Sequence, residues 1–142
     1  MKKCYVNGVG AINAQLYKED NFTQDLHCVS AFLNAAQEPD YKTVIAPNLL
    51  RRMSKAIKMG VFASNKALTE AKIQMPEAII VGSALGCLSD SEKFLKNLTE
   101  NHEEFLTPTA FIQSTHNTVA AQIALQLKCN AYNFTNVNGG NS

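Results

Sequence analysis

Tryptophan is absent from the 142 residues, and cysteine and proline are scarce, at four each. The cysteines, Cys4, Cys28, Cys87 and Cys129, are scattered with no CxxC pair among them. That spacing argues against a zinc site and suits reduced thiols, so a cytoplasmic protein is expected. A dominant charge is missing as well: 13 Lys+Arg stand against 12 Asp+Glu, for a net charge of +1. Nothing in the bulk electrostatics then favours nucleic acid or an anionic membrane. No apolar run approaches the ~18 residues of a membrane span. The start, MKKCYVNGVG, has two lysines but no apolar stretch behind them, which argues against a signal peptide. Three N-x-T sequons, at Asn21, Asn97 and Asn133, read as chance in a chain with 14 asparagines.

What is present is one domain's worth of chain, with 46% hydrophobic and 18% charged residues. A domain of this size can bury roughly 68–70% of the surface its unfolded chain exposes. CYVNGVGAI (4–12) reads as a short strand entering a glycine turn. Residues 13–41 are polar and poorly periodic, with a short helix expected around Leu26–Ala36 before Glu38-Pro39-Asp40 breaks the chain. A long helix follows, with Pro47 and Asn48 at its start and Leu49, Leu50, Met53, Ile57, Val61, Ala67 and Leu68 near helical period. Arg51, Arg52, Lys55 and Lys58 share its other face, which is either a solvated basic surface or a dock for an acidic partner.

The apolar run Ala78–Val81 has the pattern of a strand buried on both faces, as in a parallel sheet. Ser89 and Glu92 have capping-box spacing and open a helix through roughly Asn101. TPTAFIQST reads as an irregular or extended bridge. Beyond it Val119, Ala120, Ile123, Ala124 and Leu127 form one helical stripe, and AYNFTNV is a further strand. The order β, helix, β, helix, helix, β predicts an α/β fold with a mostly parallel sheet and helices on both faces.

Little of the usual catalytic vocabulary is present. GVGAIN has a G-x-G but no third glycine, so a dinucleotide site is a weak reading. His27, His102 and His116 lack ligand spacing to one another. His102 sits in the acidic stretch NHEE and reads as solvated, and His116 reads as a hydrogen-bonded structural histidine. No cofactor and no metal are expected. The terminal NFTNVNGGNS is a strand running into a tight small-residue turn, the geometry of a nucleophile elbow. Glycine suits such a turn because it needs unusual φ/ψ and space where a Cβ would stand.

The runs LLRRMSKAIKMGVFASNKAL, AIIVGSALGCLSDSEKFL and TPTAFIQSTHNTVAAQIALQLKCNAYNFT, with YVNGVGAI as a first strand, resemble the N-terminal part of a β-ketoacyl synthase. The likeness is to the variant branch of bacterial aryl-polyene and related lipid pathways. It implies the thiolase fold, of which this chain carries the N-terminal half, and pairing of two chains as a dimer. It also implies condensation of an acyl thioester with malonyl on acyl carrier protein, through a cysteine at the elbow. Matched residue by residue, Phe134-Thr135 falls on the aromatic-Thr before the elbow, Gly139 on the small residue before the nucleophile, and Gly140 on the cysteine itself.

Glycine has no nucleophilic atom. Loss of the nucleophile in a comparable covalent mechanism costs on the order of 10⁶ in rate, or roughly 8 kcal/mol of barrier. The resemblance therefore implies a chain-length-factor-like, non-catalytic partner that works with acyl carrier protein and with a ketosynthase or a second copy. The chain is expected to stop at the elbow of a longer domain, spanning residues 1–142. A fragment of an active 3-oxoacyl-acyl-carrier-protein synthase, or a small α/β binding or scaffold module, are the alternatives.

Overall fold

The computed structural model describes residues 3–14 and 35–142. Asp40 opens a 3₁₀ turn, Tyr41–Thr43, by accepting from the Lys42 amide at 3.1 Å. The turn drives Tyr41 edge-on against the Phe62 ring, 5.8 Å between centroids. Next come α1 (Pro47–Leu50) and α2 (Lys55–Ala71), where the sequence predicted one unbroken helix. The break at Arg51–Ser54 turns Met53 into the core, and Ser54 takes the extended backbone of an N-cap (ψ 168°). The Ser54 side chain makes no capping hydrogen bond, so the new start rests on its extended backbone alone.

From α2, Ile57, Val61 and Phe62 are buried. The helix ends on Lys72 in left-handed conformation (φ 57°), and α5 (Thr118–Leu127) ends the same way on Lys128 (φ 52°). Lysine occupies the position glycine usually takes after a helix, so neither stop was marked in the sequence by a glycine. Gly60 lets these two helices cross closely, since a Cβ there would stand 2.6 Å from Val119 Cγ1.

Strand β1 (Ala78–Ser83) pairs in parallel with β2 (Tyr132–Val137), Ala78 opposite Tyr132 through Ser83 opposite Val137. The mixed helical architecture around a parallel sheet agrees with the α/β expectation. Helix α5 covers one face of the sheet. Ile79 and Thr135 are buried on that face, while Ile80 and Phe134 point the other way, Ile80 at 70% exposure. The double-faced burial expected of Ala78–Val81 is thus met on one side only. The core joins Tyr41, Ile45, Ile57 and Val61 to Ile79, Ala120 and Ile123, and the predicted stripe of α5 packs into it.

Between the strands, α3 (Leu88–Glu100) and α4 (Pro108–Ser114) lie against each other. Helix α3 starts one residue before Ser89, at Leu88, with Cys87 at its N-cap, so the expected capping box is not formed. Ser91 instead donates to the carbonyls of Cys87 (3.1 Å) and Ser114 (2.8 Å), tying α3 to α4. The expected bridge TPTAFIQST is helical. Thr107 caps it by accepting from the Ala110 amide (3.4 Å), with Pro108 in the first turn. That Thr-Pro start is a legible helix signal.

The predicted first strand does not form: residues 4–12 have no regular structure. They run along α2, where the Val9 amide donates to Glu70 Oε2 at 2.6 Å. A Cβ on Gly8 or Gly10 would overlap the backbone of Ala67 or Ala63, so glycine is needed for this approach to the small face of α2. The helix expected at Leu26–Ala36 lies largely outside the described residues. Among the described residues no helix is long and apolar enough to cross a membrane.

Candidate functional site

In parallel sheets, ligand sites form beyond the carboxyl ends of the strands, where loops and helix starts converge. Here β1 leads through Gly86 (φ 61°), whose amide is held by Ser83 Oγ at 2.9 Å. The space where a Gly86 Cβ would stand faces His116 Cβ (3.5 Å) and Val137 Cγ2 (3.7 Å). The turn after β1, the approach to α5 and the end of β2 therefore meet at one place.

Strand β2 is fixed to α5 by two side chains. Thr135 Oγ1, buried, donates to Asn117 Oδ1 at 2.6 Å, and Asn133 Nδ2 donates to the Ala120 carbonyl at 3.0 Å. Asn133 is therefore turned into the fold, not displayed as a glycosylation acceptor. The strand runs into a 3₁₀ turn, Gly139–Asn141, entered with Gly139 at φ 55°. The Gly139 amide donates to the Ala84 carbonyl (3.1 Å), so the turn after β2 is pinned to the turn after β1. Ser142 Oγ donates to the Gly139 carbonyl (2.7 Å), and the chain passes Gly82 so closely that a Cβ there would be 2.9 Å from the Ser142 carbonyl carbon. A Cβ at Gly140 would meet nothing within 4 Å. The turn presents bare backbone towards open space.

Reactive side chains are sparse around it. Cys87 is buried, and burial together with the nearby Asp90 carboxylate pushes its thiol up, which disfavours the nucleophilic thiolate. His116 is exposed, contrary to the hydrogen-bonded structural role expected of it; Asn117, its neighbour, makes the tertiary bond. His102 is exposed and stands in left-handed backbone (φ 49°). Cys129 Sγ donates to the Pro76 carbonyl (3.4 Å), and Cys4 is exposed. His27 and Cys28 lie outside the described residues. No group of three or more metal-ligating side chains occurs among the described residues. The basic face is divided by the break after α1. Arg51 and Arg52 are exposed in the turn, Lys58 is half-buried, and Lys55 pairs with Glu38 at 2.8 Å, which holds that carboxyl below its usual range.

Residues 24–142 match the family model described as "Beta-ketoacyl synthase, N-terminal domain". The chain belongs to that family. No curated protein matches it. Among solved structures, the ketosynthase-type fold is shared with a chain described as "Ketosynthase (ApeO) in Complex with its Chain Length Factor (ApeC) from Xenorhabdus doucetiae", with a TM-score of 0.67 and 18% identity. The similarity covers 92% of this chain and 53% of that one, so the present chain spans about half the length of the solved one. Within this ketosynthase-like N-terminal domain, the Thr135–Asn117 and Gly139–Ala84 bonds position the turn after β2. Sequence reasoning missed both. The terminal glycines gave a general turn signal, but partners 18 and 55 residues away carry no local mark.

Proposed function

We propose that this chain is the N-terminal part of a non-catalytic, chain-length-factor-like subunit of a fatty-acid- or polyketide-type condensing system. The reading rests on one feature: matched to the family's sequence pattern, Gly140 falls where the nucleophilic cysteine would be, on the turn that follows β2. Acyl transfer needs a thiolate there, and the nearby Cys87 is buried with its thiol shifted away from that state. The working ketosynthase is a separate chain, a relation supported by the solved relative being described together with a chain length factor. Acyl carrier protein supplies the acyl and malonyl groups to that working chain. Metal and cofactor are not required for this role.

Incubation of the 142-residue chain with acyl-loaded acyl carrier protein, read by intact mass, is expected to show no acyl adduct and no condensation product. An acyl adduct on the chain, or turnover by the purified protein, would refute the reading. The Gly140→Cys variant sharpens the test. Its new thiol, in open space, should react with iodoacetamide at least about tenfold faster than Cys87, as expected for exposed against buried thiols.

A further inference from the structure

We draw no further inference here: the strongest candidate, the outward apolar face of the β1–β2 sheet, where Ile80 and the stacked Tyr132 and Phe134 rings are exposed, carries none because nothing in the structure shows what covers it.

Discussion

Helices α2 and α3 both carry an apolar face, yet the pairs they form, α2–α5 and α3–α4, end in opposite states. In the first, Ile57 and Ala120 are fully buried, Val61 and Ile123 nearly so, and Gly60 permits close crossing. In the second, no residue is buried. Leu88, Leu95, Phe111 and Ile112 are all more than half exposed, and the pair is held by the Phe94–Phe111 edge contact at 5.8 Å and the Ser91 bond to Ser114. Amphipathic pattern makes a helix; a second surface behind its apolar face makes it core. The first pair has the sheet behind it through α5, and the second meets the rest of the fold along a short contact of α4 with α5.

The contrast can be broken by substitution. Ile57→Ala should cost about 2–5 kcal/mol, as full burial without room to relax implies, read as a lowered urea midpoint. Leu95→Ala in the looser pair should cost less than ~1 kcal/mol in the same experiment. Equal losses would mean that α3 is covered in solution. Tyr41, packed on Phe62 at the edge of the tight region, provides a pH test. Burial, then the nearby Glu38 carboxylate, pushes its phenol up to about 12. The folded protein keeps this proton where the unfolded chain gives it up, so the stabilisation is complete below pH 10 and is lost as pH rises towards 12. Denaturant midpoints should fall over that window, and Tyr41→Phe should flatten the fall.

Thr135→Val removes the donor to Asn117 and leaves a half-buried acceptor unpaired, at about 1–2 kcal/mol. Backbone amide exchange at Gly139 should quicken with it, because β2 and the following turn share this anchor. The smallest effect is expected at the basic turn. Reversing Arg51 and Arg52 to glutamate should change stability by no more than ~0.5 kcal/mol, as for exposed sites. A larger loss would mean that these arginines are buried in an interface.

Legibility in the sequence followed the range of the interactions involved. The stripe Val119–Leu127 and the strands Ala78–Ser83 and Tyr132–Val137 were readable because periodicity and β-branched content are local. Helix α4 was misjudged although Thr107-Pro108 marks its start; the seven-residue helix is too short for a period to show. The strand expected at 4–12 failed for another reason. Its alternation was real, but Gly8 and Gly10 serve close approach to α2, a tertiary use indistinguishable in one dimension from a glycine turn. At the site, the glycines of the terminal turn were visible, while the Ala84 and Asn117 partners that hold it were not.

The sequence by itself determined which segments are helix or strand over most of 78–137, and that position 140 carries no side chain. Those properties depend on residues within a few positions of each other and on covalent identity. Tertiary structure alone decided that the helix starting at Pro47 breaks at Arg51–Ser54, that residues 4–12 lie along α2, and that Ile80 faces outward while Ile79 is buried. Each of these turns on what stands opposite a given face, and a face meets its partner only once distant parts of the chain are brought together.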